Sequence, residues 1–484
     1  MSRLRSSARC ALAGVLLLLA GCATRPINPP ITEVDRTTGY RYLTRVAHAK
    51  DPQNMVILAF SGGGTRAAAF SYGVLEALRP IELVGPKGGR IRMLDEVDVI
   101  TGVSGGSFTA LAYGLYGEKV FDLYETSFLK RNVQGELIQR VLSPGGWGDW
   151  GRAETASKLY DDILFHGATF ADLDRGDGPL IVASATDIAN GSRVAFQQGM
   201  FDVLCSDLDA VPLSRAATAS SAVPMAFSPI TLNNYGGSCN FTLPAFLTKF
   251  SDPATAPRPA SRALTRLQDL MFYDDGPRRP YIHLLDGGLS DNLGMRAVLE
   301  VVEDLEALAS VGQPTPLDNV RRIIVFIVNS RSSPKTDWYE KEKPPGAITL
   351  LVKATGVPID HYSYDTVEEL KDVIARWQSM RRVRESAAFD ASKDPEAARL
   401  LRTPSIDLYA IDVSFPALKD EAERDYLNQL PTSFVLPPEA IDRLRAAAAT
   451  IIHDSPEFKR LLEDAGARIV SVPVGNTARA PAAD

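Results

Sequence analysis

Apolar runs of strand length recur along the chain, and most lead into a turn and then a stretch of helix-forming residues. Residues 55–60 (MVILAF) form the first run and end at Ser61-Gly62-Gly63-Gly64. Residues 67–78 follow as a predicted helix that stops before Pro80. Residues 97–101 form a second buried-strand pattern, closing at Gly102 and followed by a small-residue helix over 107–116. Further strands are predicted at 180–186, 281–285, 322–328 and 406–413, and 193–197 pairs with the third across the Asn190-Gly191 turn. Strand and helix alternating in this way predict an α/β fold, a mainly parallel central sheet with helices on both faces. Residues 258–279 read as an inserted polar helical segment, 367–388 as a helix with interleaved charge, and 438–465 as a terminal helix pair. No internal repeat is present, and residues 471–484 read as a disordered tail.

The N-terminus follows a different logic. Arg3, Arg5 and Arg9 precede an apolar stretch over 11–20 that is too short to span a bilayer, the pattern of a secretory signal covering residues 1–21. It ends Leu19-Ala20-Gly21-Cys22, which resembles the lipobox of bacterial lipoproteins. The resemblance implies that Cys22 is acylated and becomes the mature N-terminus. Residues 22–50 would then be a lipid-anchored tether ahead of one domain at 51–470. Several acyl chains would hold the chain on a membrane, at about 0.8 kcal/mol per buried methylene. The expected address is the bacterial cell envelope, and Ala23 suits sorting to an outer membrane. Losing the three arginines and no acid moves the formal charge from −7 to −10. No basic stripe offsets that acidic balance, so nucleic acid is not an expected partner. Beyond Cys10 in the signal and Cys22, the remaining pair, Cys205 and Cys239, is predicted to form a disulfide in an exported chain, with two buried thiols as the alternative.

Three stretches carry chemistry. Gly102-Val103-Ser104-Gly105-Gly106 stands between a strand and a helix, the context of a nucleophile elbow. Small neighbours there permit the sharp turn that presents the Ser104 hydroxyl, and the following helix N-terminus favours developing negative charge. A glycine-rich helix entry with a capping serine is the plainer alternative. Gly62, Gly63 and Gly64 expose successive backbone amides that suit an oxyanion hole, with Arg66 either orienting an acyl group or bracing the loop. Gly62, Gly64 and Ala67 also satisfy the G-x-G-x-x-A dinucleotide pattern, but no acid follows at the end of a second strand about 20 residues on. Asp286 ends a strand pattern and is followed by Gly287 and Gly288, which let the backbone turn away; Asp291-Asn292 lie just beyond. Alone, Asp-Gly is an everyday turn.

Together these residues resemble the patatin-like phospholipases: Gly-Gly-Gly-x-Arg, then Gly-x-Ser-x-Gly, then Asp-Gly-Gly. Residues 219–229 (ASSAVPMAFSP) look like that family's Ala-Ser-x-Ala-x-Pro-x-x-Phe-x-Pro segment. The match is strong over residues 56–328, and it departs from the family at Ala67, where glycine is frequent. The resemblance implies a three-layer patatin-like fold and a lipid ester substrate. It further implies a Ser–Asp dyad in which Asp286 accepts the Ser104 proton, with an acyl-enzyme intermediate and amides around Gly63 and Gly64 holding the oxyanion. No cofactor or metal is implied, and no His, Cys, Asp and Glu cluster has ligand spacing. Ser104 and Asp286 are 182 residues apart, so the dyad requires the fold to unite them.

A histidine-dependent triad is the main mechanistic competitor. Of His48, His166, His283, His361 and His453, only the last two follow the conventional serine–aspartate–histidine order, and neither lies in a glycine-rich loop. A thioesterase, an acyltransferase, or a non-catalytic lipoprotein that binds lipid or a partner protein are the other readings. Trp147 and Trp150 suggest a lipid-facing flap or indoles packed under a loop. Trp377 among Arg376, Arg381, Arg382 and Arg384 suggests an interfacial helix face or a solvated one.

Overall fold

The computed structural model describes residues 25–46, 51–85, 88–143, 151–175, 177–224, 226–243, 261–310, 317–336, 338–402 and 404–470. Cys22, His48, Trp147, Trp150 and the tail 471–484 lie outside them.

Eleven strands are described: β1 (Asn54–Phe60), β2 (Ile81–Val84), β3 (Arg90–Arg92), β4 (Val97–Val103), β5 (Leu180–Asp187), β6 (Arg193–Phe196), β7 (Ile230–Asn233), β8 (Tyr281–Asp286), β9 (Arg322–Asn329), β10 (Asp407–Ser414) and β11 (Arg468–Ile469). The central sheet runs β10-β9-β1-β4-β5-β8-β7, with β6 also paired to β5; β2, β3 and β11 form a small separate sheet. Strands β10 to β5 are mutually parallel, whereas β6, β8 and β7 pair antiparallel. Every residue of β1 and β5 is buried, which is why their sequences are nearly continuous in apolar and small residues.

Six helices matter for the site: α1 (Gly64–Leu78), α2 (Gly105–Tyr116), α3 (Val133–Leu142), α4 (Arg152–Tyr160), α5 (Leu213–Ser220) and α6 (Pro438–Asp454). The chain steps from β1 through α1 to β4 in one direction and later from β9 to β10 in the other. Right-handed crossovers therefore place helices on both faces, and β1 and β9 meet at a switch point where ligands commonly bind. Helix α6 crosses α1 at Gly73, where a Cβ would stand 2.6 Å from Arg445 Cα.

Several expectations are corrected. Residues expected within the 22–50 tether pack against the domain: Asn28 and Tyr40 are buried, Pro30 bridges Ser206, and Arg41 pairs with Asp202 at 2.8 Å. The charged helix expected at 367–388 runs over Ala347–Glu385 with Pro358 inside it. Trp377 on that helix is not interfacial but buried at 2% exposure, while Arg376 pairs with Glu306 and Arg381 with Asp407. The terminal pair appears as α6 followed by Pro456–Asp464, and the insertion contains a helix at Ser261–Tyr273. Cys205 and Cys239 are joined as a disulfide, with Cα atoms 5.4 Å apart.

Candidate active site

β4 delivers the chain to Ser104, whose backbone turns at φ 48° and ψ −120° before α2 begins. A non-glycine residue held there carries local strain of order 1–3 kcal/mol, which the surrounding packing must maintain. Helix α2 enters hard against the end of β1: a Cβ at Gly106 would lie 2.7 Å from the carbonyl oxygens of Phe60 and Ser61. Ser104 is 6% exposed. Its amide donates to Ser220 Oγ at 2.9 Å, so that N–H is fixed by the protein itself.

Asp286 reaches the same place by an unexpected route. β8 runs antiparallel to β5, pairing Ala185 with Asp286, while Val103 of β4 pairs with Ser184. The aspartate and the elbow thus flank adjacent residues of β5 from opposite sides. The end of α5 joins them: Ser220 Oγ donates to Ser184 carbonyl at 2.7 Å, Gly287 amide donates to Ser220 carbonyl at 3.0 Å, and Asp286 amide to Ala222 carbonyl at 3.0 Å. Gly287 is close-packed, since a Cβ there would meet Ser184 carbonyl oxygen at 2.2 Å. The Asp286 carboxyl accepts from Gly288 amide at 2.8 Å, and the Ser104 hydroxyl stands close enough to favour its charged form. Burial pushes its pKa up to about 6, against the opposing pull of those two groups.

The glycine loop divides its labour. Gly62 amide donates to Asn292 carbonyl at 3.0 Å, and Thr65 amide to Ser433 carbonyl at 2.8 Å. Gly62 is therefore a strut to the aspartate loop and has no amide left for an oxyanion. Gly63 and Gly64, at φ 143° and 61°, have amides with no acceptor among the described residues. Arg66 is 4% exposed and braces rather than orients. Its Nε donates to Ser330 carbonyl at 2.7 Å, Nη1 to Leu430 carbonyl at 2.7 Å, and Nη2 to Thr432 Oγ1 at 3.1 Å. Burial lowers its pKa to about 10, which leaves it charged at neutral pH.

A cavity of about 550 Å³ opens onto Ser104 and Gly64. Its walls are mostly apolar, with Leu137 and Val141 of α3, Ala226, Phe227 and Phe434 prominent among them.

The model of the patatin-like phospholipases matches residues 58–299. The chain belongs to that family. No curated protein matches it by sequence. Human GIVD cytosolic phospholipase A2 is a structural neighbour, with a TM-score of 0.39 and 12% identity over 92% of this chain and 68% of that one. Membership supports lipid hydrolysis as the activity.

In this member of the family, three of the described histidines have other settings. His283 lies three residues before Asp286 on β8, on the opposite sheet face, and its Nδ1 is 3.0 Å from Thr231 Oγ1. His453 packs edge-on to Phe458, and His166 caps a short helical turn. Sequence reasoning missed Ser220, Asn292 and the 432–434 segment as parts of the site. Ser220 lies within the 219–229 segment, but its bonds with the Ser104 and Gly287 amides depend on the fold and leave no local signal. Residues 432 and 433 carry no local signal, because their partners Arg66 and Thr65 lie more than 360 residues earlier.

Proposed function

We propose that this patatin-like protein hydrolyses acyl esters of lipids through a Ser104–Asp286 dyad. The observation that carries the reading is the convergence of Ser104, which lines an apolar cavity, and the buried Asp286 carboxyl on adjacent residues of β5, close enough for the serine hydroxyl to pull the carboxyl's pKa down. Ser104 Oγ attacks the ester carbonyl carbon as its proton passes to Asp286. The oxyanion that forms lies against the unpaired Gly63 and Gly64 amides. Collapse of that intermediate breaks the bond to the alcohol oxygen, which takes the proton from Asp286, and leaves the acyl group on Ser104. Asp286 then removes a proton from water as the water oxygen attacks the acyl carbonyl. The fatty acid departs and Ser104 recovers its proton.

A fluorophosphonate probe tests the nucleophile directly. Labelling of the folded protein at Ser104, abolished in Ser104→Ala, is expected. An unlabelled serine in folded protein would leave lipid or partner binding as the function instead. The same reading takes Cys22 as the acylated membrane anchor, supported by the Leu19-Ala20-Gly21-Cys22 sequence. Labelled palmitate should enter the wild-type protein and not Cys22→Ala when each is expressed in a bacterial host, and incorporation into both would remove the anchor.

A further inference from the structure

Among the described residues lining the Ser104 cavity, Arg152 at the start of α4 is the only charged one. It is exposed, and it makes no ion pair or hydrogen bond among the described residues. The nearest acid along the helix, Glu154, is held by Arg215, whose Nη1 lies 2.7 Å from both carboxylate oxygens. The other polar side chains of the lining are engaged in holding the wall. Gln134 accepts from Phe434 amide at 3.2 Å, Thr432 accepts from Arg66, and Ser433 Oγ donates to Val435 carbonyl. Arg66, the other arginine close to the catalytic serine, is unavailable because it is buried and fully engaged. An acyl chain filling this cavity offers the Arg152 guanidinium no hydrogen-bond acceptor. A neutral glyceride offers only uncharged acceptors, whereas a phosphodiester offers paired anionic oxygens that match the guanidinium fork.

We propose that Arg152 is the head-group contact of the cavity, binding the phosphodiester of a phospholipid whose acyl ester lies at Ser104. The assignment rests on the hydrolase reading above. It makes Arg152 a specificity residue, one that raises turnover of phospholipids over uncharged esters of the same chain length. Losing a charge-assisted bond of this kind lowers the preference roughly 10- to 100-fold.

The test uses the full chain as wild type, Arg152→Gln and Arg152→Lys. Each is assayed on phosphatidylcholine and on diacylglycerol with identical acyl chains in one mixed-micelle system. The expected result is a fall of about 10- to 100-fold in the ratio of the two kcat/KM values for Arg152→Gln. Arg152→Lys should fall less, since it keeps the charge but loses the fork. An unchanged ratio, or an equal loss on both substrates, would overturn the head-group assignment while leaving the dyad standing. A wild-type protein that cleaves neither lipid would overturn the hydrolase reading itself. Inorganic phosphate in the diacylglycerol assay separates a lipid head group from a free anion. Inhibition that vanishes in Arg152→Gln while the ratio of the two lipids stays unchanged would assign the cation to free phosphate and remove the proposal.

Discussion

Replacing Asp286 with asparagine should abolish turnover and make the protein more stable above neutral pH. The carboxyl is 8% exposed and receives a hydrogen bond from Gly288 amide, with the Ser104 hydroxyl also favouring its charged form, yet burial still raises its pKa from 3.8 to about 6. A raised folded-state pKa means that the folded protein holds this proton after the unfolded chain has released it. Stability from this site is then present below pH 3.8 and is lost as pH rises toward 6, because the folded state must accommodate a buried charge. The separation corresponds to about 3 kcal/mol, reached in full above pH 6. Asparagine is isosteric, can accept the Gly288 amide, and never ionises. The stability gap between Asp286→Asn and wild type should therefore widen by up to about 3 kcal/mol between pH 4 and pH 7, while the other titrating groups cancel in the difference. Urea melts of both proteins across that range measure the gap, and esterase assays on the same samples measure turnover. The wild-type rate should fall as pH drops through about 6, where the base becomes protonated. A flat stability gap would show that burial does not govern this carboxyl. Substantial turnover by the asparagine variant would show that Asp286 is not the base.

Three further changes probe the frame around the dyad. Ser220→Ala leaves Ser104 amide and Ser184 carbonyl without their shared partner, and kcat should fall about 10- to 100-fold with KM little changed; an unaltered kcat would mean that the elbow holds without it. Arg66→Met removes three hydrogen bonds to segments at 330, 430 and 432, and should cost about 3–5 kcal/mol in a urea melt while loosening the cavity wall; a loss below 1 kcal/mol would contradict the bracing role. Reducing the Cys205–Cys239 bridge, which closes 34 residues, should cost about 3–4 kcal/mol by the chain-entropy argument, and melts with and without reductant measure it.

What the sequence disclosed follows from how local each constraint is. The Ser104 elbow was legible because a buried parallel strand must be continuously apolar and the turn beyond it must be built from small residues. Both demands act over a dozen consecutive positions. The direction of β8 was not legible. An apolar strand ending in Asp-Gly-Gly reads the same whether it runs with or against its neighbour, and only pairing to β5 decides which. Trp377 illustrates the same limit in reverse: arginines around it suggested a wet or lipid-facing surface, but their partners Glu306 and Asp407 come from other elements and leave the indole free to be buried.

The glycine loop shows why the motif and the chemistry are not the same set of residues. Three consecutive glycines look equivalent in sequence, and each could offer an amide. The fold makes them unequal by supplying Asn292 carbonyl to Gly62 and Ser433 carbonyl to Thr65, so that the unpaired amides are confined to the two positions between these struts. Arg66 acts on the same design from the other side, fixing Leu430 and Thr432 so that Ser433 stays in place to accept from Thr65. The loop is thus held at both ends by backbone segments from the aspartate loop and from the C-terminal third of the chain. Donors aimed at an oxyanion are useful only if they need not rearrange when charge develops. The long-range struts meet that requirement, and they account for an arginine buried among carbonyl oxygens instead of facing the substrate.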